Sequence, residues 1–333
     1  MVAVQNASFN TQYRTTQGTL SFTEMYGYTQ AGQPNAKMLQ AIESTSAYPI
    51  NLTANYTYDN EGKMASVTYP NSGPTYTYGF DSMYRPVSLT SGSNTIVSNV
   101  TYNAANQMLA MTSSWWGNET RTYNSLNQLT YLSNINVSAS YNYTAGSDNG
   151  KVASAAIGGE TVTYQYDSLN RLISAAGSSG WGDSYGYDSF GNLLSKTVTA
   201  GSAPTLSVWV NTPTNQLGEY TYDANGNQLT GLSSQYFTYD SENRMIGAYT
   251  NGSDYVQYAY DSQNKRVFSS PYASGSQGPQ HVYFYGVDGQ QLGAYPLSSG
   301  ASALEIATYF GSKRLGFNTN PSNGSETATA QDG

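Results

Sequence analysis

The phrase YQYDSLNRLISA, beginning at Tyr164, returns along the chain at intervals of about 20 residues. Close copies start at Tyr185 (YGYDSFGNLLSK), Tyr220 (YTYDANGNQLTG), Phe237 (FTYDSENRMIGA) and Tyr258 (YAYDSQNKRVFS). Looser copies start at Tyr56, Tyr76, Val100, Arg121 and Tyr141. One longer step, from Tyr185 to Tyr220, holds the insertion TVTAGSAPTLSVWVNTPTNQ. So short and regular a period constrains the fold more than any other feature. It belongs to arrays in which each unit buries its apolar face only against its neighbours.

Each unit is predicted to be a β-hairpin with its connection. Tyr164 and Tyr166 stand two apart, so a strand sets both rings on one face. Asp167 ends that strand, because its carboxylate can accept backbone N–H bonds from the residues that follow. Asn170, like Gly191 and Gly226 in sister copies, sits where the turn needs positive φ. Leu172 then opens the return strand. Gly, Asn and Tyr recur at the wrong spacing for a helical apolar stripe. The structural repeat positions are therefore Tyr164, Tyr166 and Asp167; Tyr185, Tyr187 and Asp188; Tyr220, Tyr222 and Asp223; Tyr239 and Asp240; and Tyr258, Tyr260 and Asp261. A lone hairpin is marginal in water, whereas hairpins stacked edge to edge pair their free backbone groups and merge their tyrosine faces.

Composition agrees. Of 333 residues, 32 are Tyr and 33 Gly, with 10% charged, which suits amphipathic strands joined by polar turns. A net charge of −8 supplies no basic stripe to displace counterions from phosphates, so no nucleic-acid partner is expected. The absence of cysteine removes disulfides, thiolate metal ligands and a Cys nucleophile. No apolar run reaches membrane-spanning length, and MVAVQNASFNTQYR lacks the basic start and apolar core of a signal peptide.

The density of Y-x-Y-D-x-x-G/N-R/Q-L copies resembles the core of the RHS/YD-repeat proteins, the family of bacterial RHS polymorphic toxins, the C component of Tc insecticidal toxin complexes and teneurins. The resemblance covers roughly residues 56–315, ending in VYFYGVDGQQLGAY from Val282 and ATYFGSKRLGF from Ala307. It implies an all-β array whose hairpins form a curved or spiral sheet, part of a hollow shell that holds a toxic C-terminal region. The family's closing segment, with an Asp-based self-cleavage site near a D-P-x-G motif, is not in this sequence, and no cleavage residue is carried over.

The candidate sites are few. His281, the sole histidine, would have to be the base of any triad, with Asp288 or another acid beside it, but no G-x-S-x-G elbow accompanies it. The recurring Asp59, Asp167, Asp188, Asp223, Asp240 and Asp261 point to turn chemistry, with calcium at DNEGK or DANGN as the alternative. Arg85, Arg171, Arg244 and Arg266 follow turns and are expected to stack on a neighbouring tyrosine or to pair with the adjacent repeat's Asp. Trp115 and Trp116, read as strand neighbours pointing to opposite faces, are expected to pack under a neighbouring loop, with contact to a ligand, a glycan by the chemistry of the indole, as the alternative.

The expected organisation is an irregular N-terminal β segment over 1–50, with a short helical turn in PNAKMLQAIESTSAY, a YD-repeat sheet over 51–317, and a mobile polar tail over 318–333. The expected function is a non-enzymatic scaffold, without cofactor or metal, that encloses or displays a secreted effector at a bacterial surface. A surface adhesion or carbohydrate-binding module is the alternative. Expected partners are a downstream shell segment, an effector cargo or a second copy of the chain.

Overall fold

The computed structural model describes residues 2–10, 19–43, 50–144, 149–250, 254–297 and 302–318, and the expected tail lies outside them beyond Asn318. Among the described residues every regular element is a β-strand except one 3-10 turn at Leu232–Ser234. Each strand pairing is antiparallel, as hairpins joined by tight turns require. The chain divides into two compact units, Met1–Thr95 with Thr221–Gly333, and Ile96–Tyr220.

The first unit contains two sheets. In one, the strands Val2–Asn10, Thr19–Tyr28, Pro34–Glu43, Ile50–Tyr58, Met64–Thr68, Thr75–Phe80 and Pro86–Ser91 pair in sequence order. In the other, the path runs from Tyr236–Tyr239 through Met245–Thr250, Asp254–Tyr260, Arg266–Ala273, His281–Tyr285, Gln291–Pro296 and Glu305–Phe310 to Lys313–Asn318. Alternate residues of each strand face inward, as the two-residue pleat period dictates. Leu20, Phe22, Leu39, Leu52, Tyr56 and Tyr76 from one sheet are buried, as are Phe268, Val282, Phe284 and Ile306 from the other. The two inner faces meet directly. Phe22 packs on Phe268 with ring centroids 6.0 Å apart. The Tyr69 hydroxyl donates to the Ala307 carbonyl at 2.8 Å, and Tyr76 and Thr308 share a hydroxyl hydrogen bond at 2.8 Å.

Pro34–Glu43 corrects one expectation: the part of the proposed helical turn that lies within the described residues is a ten-residue strand. Its Ala, Lys, Met, Leu and Gln favour helix in isolation. Pairing on both edges, with Thr19–Tyr28 and with Ile50–Tyr58, overrides that weak preference and buries Leu39 and Ala41. Pro34–Glu43 and Thr19–Tyr28 also carry an ion pair into the interior. Lys37 Nζ lies 2.7 Å from Glu24 Oε1, with side chains only 4% and 7% exposed, and the Tyr26 hydroxyl donates to Glu24 Oε2 at 2.6 Å.

The second unit is built from sequential hairpins from Met108–Ser113 through Leu193–Ala200 to the short strand Leu206–Ser207. Its tyrosine face is only half-covered. Along Glu160–Tyr166, Thr161, Thr163 and Gln165 are exposed, whereas Val162, Tyr164 and Tyr166 are half-buried. Tyr185 and Tyr187 repeat this state on Gly182–Tyr187. Tyrosine suits a half-wet face because a large apolar ring ends in a hydroxyl that needs a partner.

Candidate functional site: a ladder between repeats

The turn after each Y-x-Y-D closes as its residue types require. Asp167 N–H donates to the Arg171 carbonyl at 2.9 Å, and Asn170 N–H returns to the Asp167 carbonyl at 3.0 Å. Asp167 Oδ1 accepts from the N–H groups of Leu169 and Arg171, both at 2.9 Å. Asn170 has φ 68°, and Gly191 and Gly226 hold the same place at 90° and 87°. The Asp188, Asp223, Asp240 and Asp261 carboxylates accept the corresponding pair of N–H bonds in their own turns. Donation from the Arg171 backbone holds the Asp167 carboxyl below the ordinary aspartate range, and donation from the Asn192 side-chain amide leads the same lowering at Asp188.

The arginine after the turn stacks on a neighbouring tyrosine, one of the two expected contacts, but its ion pair is with the Asp of its own repeat. Arg171 Nε donates to Oδ2 of Asp167, the carboxylate of its own repeat, at 2.7 Å. Its outer nitrogen reaches the backbone carbonyl of Asp188, one repeat on, at 2.9 Å, and its guanidinium lies 4.9 Å from the Tyr187 ring centroid. Arg244 repeats all three contacts with Asp240, the Asp261 carbonyl and the Tyr260 ring. Arg85 pairs with Asp81 of its own turn. Arg266 is not in this class. Lys265 occupies the turn position and reaches the Gly289 carbonyl, while Arg266 stands on the next strand between the Tyr258 and Tyr283 rings. The geometric reason is reach: a four-residue turn brings the guanidinium back onto its own Asp, leaving only its far nitrogens for the neighbour.

A second contact runs the other way and was not anticipated. The Tyr187 hydroxyl donates to the Leu172 carbonyl at 2.8 Å, and Tyr166 to Val152 at 2.9 Å. Tyr123, Tyr143, Tyr239, Tyr260, Tyr285 and Tyr309 bond the corresponding backbone carbonyl one repeat back. A register shift falls at this tyrosine in copy after copy, between Gln165 and Tyr166 and between Gly186 and Tyr187, for example. The ladder from Leu172–Gly177 to Gly182–Tyr187 stops at Ser174, so the Leu172 carbonyl lies beyond its last rung. The tyrosine hydroxyl supplies the missing donor. The tyrosine thus caps a carbonyl that the strand ladder leaves open.

Other expected residues fall as follows. The copy at Tyr220 keeps its Asp223 turn but makes only isolated bridges, Tyr222 with Gln228 and Thr230 with Tyr236, in place of strands. Asp261 is buried, and its Oδ2 has no hydrogen-bond partner among the described residues because Lys265 points to the next turn. His281 is half-buried at the start of its strand, with its ring against Tyr283, and burial lowers its pKa. Asp288 caps its own turn by accepting from Gln290 N–H at 3.0 Å. Among the described residues no group of three His, Asp or Glu side chains could hold a metal. Trp115 and Trp116 lie in the turn between Met108–Ser113 and Gly117–Tyr123, not in a strand, and Trp116 is buried. Trp209, which sequence reasoning passed over, is the tryptophan that is 61% exposed.

Replacing Asp167 with Ala removes two backbone caps and the Arg171 partner together. Asp167→Ala is expected to lower the thermal midpoint by about 2–5 °C. Asp167→Asn should cost less, because Asn103 and Asn124 accept the same pair of N–H bonds in their own turns. A chelator should leave the midpoint of the unmutated protein unchanged. A large fall would return calcium to these turns.

Residues 149–292 match the family model described as Teneurin YD-shell. The chain is similar in fold to the Tc holotoxin pore of Photorhabdus luminescens, with 15% identity and a TM-score of 0.65 over 87% of this chain. It is also similar to the complex TcdB2-TccC3 without its hypervariable C-terminal region, with 15% identity and a TM-score of 0.65 over 88% of this chain. In both cases it spans 20% of the matched chain. No curated protein sequence matches it.

Proposed function

We propose, from the premise that this chain carries a YD-repeat shell segment, that it is a non-enzymatic piece of wall that encloses or displays a secreted effector at a bacterial surface. The ladder between repeats supports this reading best. Tyrosine hydroxyls fix hairpins to the repeat behind them, and Arg171 and Arg244 fix theirs to the repeat ahead. The recurring Asp side chains that a catalytic reading would need are occupied in turns. The half-covered tyrosine face of the second unit is suited to a lining that stays partly wet. Lys313–Asn318 pairs on one side only among the described residues, so its outer edge can accept a further strand from the same wall or from a partner protein.

Limited proteolysis of the protein expressed from its complete native reading frame tests this. The expected result is a resistant block containing residues 50–318 and a second segment that is cut only after denaturation. Cleavage of every segment outside that block under native conditions would rule out enclosure.

A further inference from the structure

The insertion that breaks the repeat period carries a feature with no part in the ladder. Val210–Asn211 and Gln216–Leu217 form a separate two-stranded hairpin. Val210 faces Leu217 and Asn211 faces Gln216, and Gly218 N–H donates to the Trp209 carbonyl at 2.9 Å. By strand alternation Trp209, Asn211, Gln216 and Gly218 share one face of this ribbon, while Val210 and Leu217 take the other. The indole lies against Gly218. A Cβ there would collide with Trp209 Cε3 and Cζ3, so glycine is what lets the ring cover the backbone. The ring remains 61% exposed.

The ribbon is held in place. Asn215 N–H donates to the Asn211 carbonyl at 2.7 Å, closing the loop with Asn215 at φ 54°. The Asn192 amide bridges Asp188 Oδ2 at 2.7 Å and Asn215 Oδ1 at 2.6 Å, which ties the hairpin to the preceding repeat's turn. Asn192 stands where Arg171 stands one repeat earlier, so the rung to the next repeat is here redirected to the insertion.

We propose that this face is a binding site for a neutral oligosaccharide of gluco- or N-acetylgluco-configured units. One aromatic plane with two carboxamides about 7 Å along the same face matches such a ligand. All-equatorial hydroxyls leave an apolar C–H face for the indole, and vicinal hydroxyls meet the Asn211 and Gln216 amides, each both donor and acceptor. Residues 209–218 contain no charged side chain, which disfavours anionic or cationic ligands. A protein partner needs on the order of 1,000 Å² of buried surface, far more than one aromatic ring on a four-residue face provides. Trp115 and Trp116 are not part of this site, and the site does not depend on the enclosure reading.

The test titrates the full chain with cellohexaose and with the hexamer of N-acetylglucosamine, followed by tryptophan emission and calorimetry. At least one sugar is expected to saturate at or below about 1 mM. Trp209→Ala should weaken it at least about tenfold, Asn211→Ala should weaken it less, and Trp115→Ala should leave it unchanged, with circular dichroism confirming that each variant is folded. No saturation by either sugar up to roughly 10 mM would overturn the proposal, as would undiminished binding by folded Trp209→Ala. Self-association of the unmutated chain that Trp209→Ala abolishes would overturn it too, by assigning the ring to a second copy.

Discussion

Above pH 10 the protein is expected to lose stability steeply, through tyrosines that cannot ionise where they stand. Burial raises the pKa of Tyr56, Tyr69 and Tyr295, whose rings are 4%, 2% and 0% exposed. In the unfolded chain these phenols ionise near pH 10. The folded state therefore binds more protons above that pH, and stability that is fully present below it falls as pH rises towards the folded values. Each such tyrosine contributes a slope of about 1.4 kcal/mol per pH unit, so three give roughly 4. Against a typical stability of about 5–15 kcal/mol, unfolding should follow within a few pH units. Tyrosinate absorbance should rise in two phases, the second coinciding with loss of circular dichroism. Tyr295→Phe should move the alkaline midpoint upward at no cost near neutrality, because its buried hydroxyl has no hydrogen-bond partner among the described residues. Titration of all 32 tyrosines in a single phase with the fold intact would contradict the burial argument.

Lys37→Met is expected to cost about 3–5 kcal/mol, because it leaves Glu24 charged, buried and without its cation. The Tyr26 hydroxyl still donates to Glu24, so the carboxylate is not stripped of every partner. Glu24→Gln together with Lys37→Met should recover most of the loss, since the penalty belongs to the unpaired charge and not to the missing attraction. Denaturant midpoints of the two single variants and the double variant measure this coupling. A loss below about 1 kcal/mol in Lys37→Met would mean that water reaches the pair and that it behaves as a surface ion pair.

Turn chemistry was readable from sequence because it is local. Asp167 accepting from residues 169 and 171, Asn170 at positive φ and Leu172 opening the return strand all follow from the residue types within one turn. The tyrosine hydroxyls were not readable, since their acceptors lie a repeat away, beyond the last rung of the strand ladder. The strand Pro34–Glu43 was obscured by good helix formers, and its inward Leu39 and Ala41 make sense only once strands flank it on both sides. The packing of the first 95 residues with the last third of the chain is likewise non-local, carried by contacts such as Phe22 on Phe268. For Trp209 a signal did exist. SVWVNTPTNQLG alternates, turns at N-T-P-T-N and ends in Gly, which is a hairpin pattern placed where the period fails.

The two kinds of rung also impose a direction in time. Tyr187 donates to a carbonyl 15 residues upstream, and Tyr260 likewise. A chain made N-terminus first, at about 5–20 residues per second, has therefore exposed each acceptor roughly a second before the tyrosine that caps it emerges. Arg171, by contrast, must wait for Asp188, 17 residues further on. A nascent chain halted just after Tyr187 thus already carries the cap on Leu172, while Arg171 still waits for its acceptor.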